Sequence, residues 1–266
     1  MSARMDDGSI DYDRVSQVYD SSRMAIIETV ERLIQLLQIS SSMMVLDMGC
    51  GTGNYTAAIA QVTENILGTD KSVGMIREAR LKYSELPFIL CDVISLPFKT
   101  EIFDAAFSIQ VIHHVKDKLR FLKEAHRILR KGACFAIDLC SHQQMRTFWL
   151  YHYFPKGLEL DLARIPDSYE IVGLLENAGF CNVRTEISYT DIVREHEKPE
   201  RYLDRSYRNG QSTFHLLSDN DVKLGCKKLK EDINSGNVQN VIRCYEAKER
   251  RVGGSSIIYG WKMAAI

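Results

Sequence analysis

The stretch that most constrains the fold is Met43-Met44-Val45-Leu46-Asp47-Met48-Gly49-Cys50-Gly51-Thr52-Gly53-Asn54. A break at Ser40-Ser41-Ser42 precedes a short apolar run that reads as a buried strand ending at Asp47. Glycines then alternate at 49, 51 and 53, and the segment from Asn54 to Val62 reads as a helix. A strand that enters a glycine-rich turn and leaves as a helix lets a ligand approach main-chain N–H groups closely. Asn54 stands where a dinucleotide fingerprint needs its third glycine. The pattern therefore favours a ligand without a pyrophosphate and speaks against a nicotinamide dinucleotide.

The alternation continues on the C-terminal side. Asn65 to Gly68 reads as a strand ending at Asp70, and Ser72 can cap a helix that runs to about Tyr83. Pro87–Cys91 and Phe103–Ile109 read as the third and fourth strands. Lys116 to Leu129 is amphipathic, with Leu119, Leu122, Ala125 and Leu129 on one stripe and Lys131-Gly132 as its expected stop. Ala133–Leu139 is a fifth strand. Strands alternating with helices imply parallel pairing through right-handed crossovers, hence a doubly wound α/β sheet. Arg23 to Leu37 carries an N-terminal helical pattern.

Beyond residue 140 the rhythm changes. Residues 142–167 are rich in aromatics, among them Phe148, Trp149, Tyr151, Tyr153 and Phe154. Ser168–Asn177 reads as a helix stopped by Gly179, and Phe180–Thr190 as a strand. Residues 191–254 interrupt the sheet, with Val222, Cys226, Leu229 and Ile233 forming one helical stripe capped by Ser218 or Asp219. Ser255–Ile266 is the last strand after a Gly253-Gly254 turn.

Charge and cysteine usage exclude several classes. Lys plus Arg number 34 against 35 Asp plus Glu, so the net charge is −1 and a basic excess for nucleic acid is missing. No run approaches the 18 apolar residues of a membrane span, and Met1 to Tyr19 lacks the apolar core of a secretory signal. The seven cysteines form no CxxC pair, which suggests neither a zinc site nor a disulfide framework. Free thiols point to a reducing, cytoplasmic setting, with no metal expected.

Asp70 lies 21 residues after Gly49, where a strand-end carboxylate can accept both hydroxyls of a ribose. Asp92, in Cys91-Asp92-Val93, ends the third strand and could accept from an exocyclic adenine amine. Together with the glycine loop they describe a nucleoside site at the carboxyl edge of the sheet. These residues resemble the class I S-adenosylmethionine-dependent methyltransferases, specifically the small-molecule subgroup of the ubiquinone/menaquinone-biosynthesis type. The resemblance runs over about residues 40–140, through Val45–Gly53, Gly68-Thr69-Asp70, Cys91-Asp92-Val93 with Leu96-Pro97-Phe98, Phe103-Asp104 to His113-His114, and Glu124–Gly132.

That resemblance implies a Rossmann-like, seven-stranded, mostly parallel sheet with an N-terminal helix and a helical cap inserted before the last strand. It implies one methyltransferase domain over 1–266: an N-terminal helical segment (1–40), a donor-binding core (41–140), cap or lid insertions (141–167 and 191–254) and a last strand (255–266). S-adenosyl-L-methionine would be the donor and S-adenosyl-L-homocysteine the product. Asp47 and the loop residues Gly49, Cys50, Gly51 and Gly53 would hold the methionine part, and Asp70 the ribose. Lys71 and Met75 would flank the adenine, whose edge Asp92 and Val93 would read. Gln110 would present its backbone to the donor ammonium, with Tyr19 and Arg23 as candidates for its carboxylate.

Methyl transfer from a sulfonium is an in-line displacement, so alignment and water exclusion supply much of the rate. A base is needed only where the acceptor is protonated at neutral pH. His113 and His114, just beyond the fourth strand, are the candidates for a base or an acceptor-positioning donor, against a purely structural reading of the pair. His142, His152 and His196 read as surface or lid residues. The 148–154 aromatics suit either the floor of an acceptor pocket or the packing of an extra helix. Arg194, Arg201, Arg205 and Arg208 could grip an anion, but Glu195, Glu197, Glu200 and Asp204 interleave with them as on a solvated helix.

The expected function is transfer of a methyl group to a small molecule, by a monomer or homodimer, with neither nucleic acid nor membrane as partner. The alternatives are an RNA or protein methyltransferase and a non-catalytic, donor-binding regulatory protein. The Asn/Asp-Pro-Pro-aromatic tetrad of many nucleic-acid amino methylators is absent; Ser108-Ile109-Gln110-Val111 stands there instead.

Overall fold

A computed structural model describes residues 11–19, 24–189 and 198–263, apart from the side chains at 14, 17 and 18. Seven strands form one sheet: β1 (Val45–Met48), β2 (Ile66–Asp70), β3 (Phe88–Leu90), β4 (Phe103–Ile109), β5 (Leu129–Leu139), β6 (Phe180–Ser188) and β7 (Ser255–Lys262). Their order is β3-β2-β1-β4-β5-β7-β6. The first five run parallel, and β7 is antiparallel to both β5 and β6. Strand order reverses between β1 and β4, so the end of β1 opens at the switch point where α/β sheets bind ligands.

Both faces of the sheet are covered, which is why β1 is apolar throughout except for Asp47. One core layer joins Leu46, Met48, Phe103, Phe135 and Ile137 to Phe121 and Leu122 of α5 (Lys118–Ile128) and Leu175 of α9 (Ser168–Asn177). The other joins Val45, Ile66, Phe107 and Ile257 to Val30 and Leu33 of α2 (Ile27–Leu36) and Ile59 of α3 (Asn54–Ile59). The remaining helix of the core, α4 (Val73–Lys82), carries the Ser72 cap, whose Oγ accepts from Met75 N at 3.1 Å. Ahead of α2, α1 (Tyr12–Tyr19) lies on α4.

Several boundaries differ from the sequence expectation. Helix α5 stops at Ile128, and β5 begins at once with Leu129, which pairs with Phe103. Lys262 Nζ, ion-paired with Glu101, donates to the Leu129 carbonyl at 2.8 Å and holds it extended. Gly132, φ +83°, therefore lies within β5 with open space around it and does not cap the helix. Helix α3 ends at Ile59, short of Val62.

The decorated regions are helical. Between β5 and α9 stand α6 (His142–Met145), α7 (Leu150–Tyr153) and α8 (Pro155–Arg164). Between β6 and β7 come a 3-10 turn (Pro199–Leu203), α10 (Arg205–Asn209), another 3-10 turn (Ser212–His215), α11 (Asp219–Ser235) and α12 (Val238–Val252). The sequence pattern shows α11, but α12 is a second long helix it does not reveal. Gly236, at φ +77°, makes the left-handed turn between the two. Among the described residues no helix is long and apolar enough to cross a membrane.

Candidate active site

The site is built at the carboxyl ends of β1, β2, β4 and β5. Where β1 ends, the N–H groups of Gly49 and Cys50 both donate to the Thr69 carbonyl, at 2.7 and 2.8 Å, and fold the loop over the end of β2. Gly49 (φ +85°) and Gly53 (φ +82°) take left-handed conformations, and Gly53 leads directly into α3. A Cβ on Gly49 would lie 2.5 Å from Val111 Cγ2, and one on Gly53 would lie 2.7 Å from Phe88 Cζ. Conformation and space together require glycine at both positions.

Asp70 ends β2 beneath this loop. Its Oδ2 accepts from Gly51 N at 3.0 Å and its Oδ1 from Ser72 N at 2.9 Å. Each oxygen thus keeps lone-pair capacity for a further donor such as a hydroxyl. Burial pushes its pKa up, opposed by those two backbone hydrogen bonds. Asp47 is 1% exposed, and its Oδ2 accepts from Thr56 Oγ1 at 2.7 Å. Burial first, and the neighbouring Asp70 charge in addition, push its pKa up to about 7 against the Thr56 bond.

The other expected residues are distributed as follows. Cys50 packs toward Ile76 and Phe88, with its thiol pKa pushed well up by burial. Lys71 is exposed just past β2, and Met75 is buried under α1 against Tyr12, Val15 and Tyr19. Asp92 is exposed, its Oδ1 accepting from Ile94 N at 3.2 Å in the turn after β3, while Val93 is buried. Gln110 ends β4 in the left-handed region, φ +55°. Tyr19 lies next to the loop, with its Cε1 3.7 Å from where a Gly51 Cβ would be. Arg23, and with it Arg194 and His196, falls outside the described residues.

His113 and His114 sit in a 3-10 turn (Ile112–His114) after β4, with ring centroids 4.0 Å apart. His114 Nε2 is 2.7 Å from the hydroxyl of Tyr12, which sequence reasoning missed. Asp13 was missed too: its Oδ1 accepts from Ser72 Oγ at 2.5 Å and Gly74 N at 2.8 Å, pinning α1 to the start of α4. These bonds hold its pKa below the usual carboxylate value. Helix α1 thereby joins β2–α4 on one side to His114 on the other.

The cap consumes its own aromatics. Trp149, Tyr153 and Phe154 pack with Tyr202, Tyr207 and Phe214 in a separate core, so packing describes them better than a pocket floor. Arg208 donates to the Tyr202 carbonyl at 2.6 Å, and Arg201 lies over the Tyr207 ring. His142 Nε2 lies 2.8 Å from the Ile165 carbonyl, and His152 packs against Tyr153 and Tyr245. Among the described residues no group of His, Cys, Asp and Glu is arranged to hold a metal.

Residues 46–137 match a family model described as a methyltransferase domain. The chain carries a class I S-adenosylmethionine-dependent methyltransferase domain. A solved methyltransferase of Anabaena variabilis, assigned to an antibiotic biosynthesis pathway, superposes with a TM-score of 0.75 at 26% identity, covering 90% of this chain and 98% of that one. A malonyl-[acyl-carrier protein] O-methyltransferase of Yersinia pestis is 30% identical over 121 residues, 46% of this chain and 45% of that protein. A probable tRNA methyltransferase 9B of Bos taurus is 36% identical over 104 residues, 38% of this chain and 22% of that protein. The chain thus spans less than half the length of these curated relatives. Identity to proteins with such different acceptors marks the methyltransferase domain, not the acceptor.

Proposed function

We propose that this protein transfers the methyl group of S-adenosylmethionine to a small-molecule acceptor. The observation that carries the reading is Asp70, half-buried and held by Gly51 N and Ser72 N with acceptor capacity to spare, directly beneath the glycine loop. That acceptor suits the hydroxyls of a ribose, and the loop above it suits the amino-acid arm of a sulfonium nucleoside without a pyrophosphate. When bound, the donor supplies an electrophilic methyl group on a sulfonium.

The chain's residues then bind and orient. Asp70 accepts the ribose hydroxyls, Asp92 and Val93 meet the adenine edge, and Lys71 and Met75 flank the ring. Asp47 and the Gly49–Gly53 loop, with Gln110, hold the methionine end, aided by Tyr19 and Arg23. Helix α1 closes over one side and excludes water. For an acceptor that arrives protonated, the 2.7 Å contact of the Tyr12 hydroxyl with His114 Nε2 supports a relay in which Tyr12 takes the acceptor's proton as its own passes to His114. Seven thiols without a CxxC pair suit a reducing cytoplasm.

The 36% identity over 104 residues to a probable tRNA methyltransferase favours RNA as the second reading. A net charge of −1 opposes it, because phosphate contacts need a cationic surface. Incubation with methyl-labelled donor, a small-molecule extract and total RNA separates the two. Label in the small-molecule fraction is expected; label confined to RNA overturns the acceptor class.

A further inference from the structure

We propose that Asp138 is a positioning residue: tethered by Ser255, it clamps Gln110 so that the Gln110 backbone stays turned toward the amino-acid end of the donor. This rests on the donor reading above and adds a residue to it.

Two individually unfavourable features lie side by side here. Gln110 has φ +55°, a conformation that costs a side-chain-bearing residue energy and persists only where its surroundings enforce it. Asp138, near the end of β5, is 4% exposed, and a carboxylate so far from water is costly unless hydrogen-bonded. Each compensates the other. Gln110 N donates to the Asp138 carbonyl at 3.0 Å, and Gln110 Nε2 donates to Asp138 Oδ1 at 2.8 Å. Backbone and side chain of one residue are thus gripped by backbone and side chain of the other.

The clamp is itself braced. Ser255 Oγ donates to Asp138 Oδ2 at 3.0 Å. The Ser255 carbonyl accepts from Gln144 Nε2 at 2.8 Å, and Gln144 Oε1 accepts from Ser256 Oγ at 3.1 Å and Ser141 N at 2.8 Å. Gln144 is 1% exposed. A polar chain this satisfied fixes geometry closely, as the supports of a binding site must. Burial pushes the Asp138 pKa up to about 6 against the Gln110 and Ser255 bonds, consistent with a carboxylate kept in place at a cost.

Because Gln110 meets the amino-acid arm and not the nucleoside, loss of the clamp should be felt only by ligands that carry that arm. Calorimetric titration of the full chain with S-adenosylhomocysteine and with 5′-methylthioadenosine, which keeps the nucleoside but lacks the amino acid, reads this directly. Asp138→Ala is expected to weaken S-adenosylhomocysteine about ten-fold or more, the effect of a lost charge-assisted hydrogen bond, with methylthioadenosine unchanged. Asp138→Asn, which keeps an acceptor for Gln110, is expected to recover most of the loss. Gln110→Ala should behave like Asp138→Ala, and Gln110→Gly, which adopts φ +55° freely, should lie between it and the wild type. The Gln110 pair decides the matter if Asp138→Ala does not fold. Equal weakening of both ligands, or no change for S-adenosylhomocysteine, overturns the proposal while the donor site stands. A wild-type protein that binds neither ligand overturns the donor reading and this proposal with it.

Discussion

The donor core and the cap both bury carboxylates, but to different ends. In the cap, Asp161 is 0% exposed and saturated: Tyr151 and Thr213 hydroxyls donate to Oδ2 at 2.8 and 2.6 Å, and Arg164 Nε donates to Oδ1 at 2.7 Å. In the core, Asp47 accepts from the hydroxyl and the backbone of Thr56 alone, and Asp70 from the backbone of Gly51, Ser72 and Lys71, so among the described residues neither is gripped by a guanidinium as Asp161 is. Both core carboxyls have pKa values raised by burial. A saturated carboxylate builds structure. An under-supplied one, desolvated at a strand end, is where a ligand's donors complete the set. On this contrast the Asp161 network of the cap serves stability, and the proposed binding role falls to Asp47 and Asp70.

The sharpest way to break this contrast is Asp161→Ala. It leaves the largely buried Arg164 guanidinium and two hydroxyls without their acceptor, and about 3–5 kcal/mol of stability should be lost. Urea unfolding measures that loss, while donor affinity of the folded fraction should stay within about two-fold if the cap does not build the donor site. Gly49→Ala comes next. Its φ of +85° and the 2.5 Å approach of Val111 should cost about 2–4 kcal/mol and abolish donor binding together.

The core carboxylates also set a pH dependence. Asp47 has a folded pKa of about 7, above its unfolded value of 3.8. Its contribution is therefore fully present below the unfolded value and is lost as pH rises through the folded one. Stability of the unliganded protein should fall between about pH 4 and 7, and Asp47→Asn should flatten that slope in denaturant titrations at several pH values. Asp70 and the Cys50 thiol, which face Asp47, and Asp138, raised in the same direction, leave part of the slope in the variant. The smallest effect on stability belongs to Tyr12→Phe. Removing a half-buried hydroxyl should cost about 1 kcal/mol or less, so a larger fall in turnover at neutral pH would assign the Tyr12–His114 pair to the acceptor's proton.

The core was legible in sequence because its signals are local. The loop glycines follow directly on the apolar run that ends at Asp47, Ser72 stands just ahead of the helix it caps, and the doubly wound order follows from alternating periodicities, so each can be read without its distant partners. The stop at Lys131-Gly132 failed because Lys262, from the far end of the chain, holds Leu129 extended. Helix α12 escaped notice because its buried stripe, Val238, Ile242 and Glu249, is sparse and includes a carboxylate. Tyr12 and Asp138 escaped for another reason: their partners stand 102 and 28 residues away, at His114 and Gln110. Contacts made across strand ends have no sequence period to betray them.

The central claim is that Asp70 and the glycine loop bind the donor nucleoside. Calorimetric titration with S-adenosylmethionine and S-adenosylhomocysteine, on the wild type and on Asp70→Ala with its fold checked by thermal melting, tests it most directly. Binding at about micromolar affinity, weakened about 100-fold in a variant that still folds, is the expected result. Equal affinity in the two proteins, or no binding by the wild type, would contradict it.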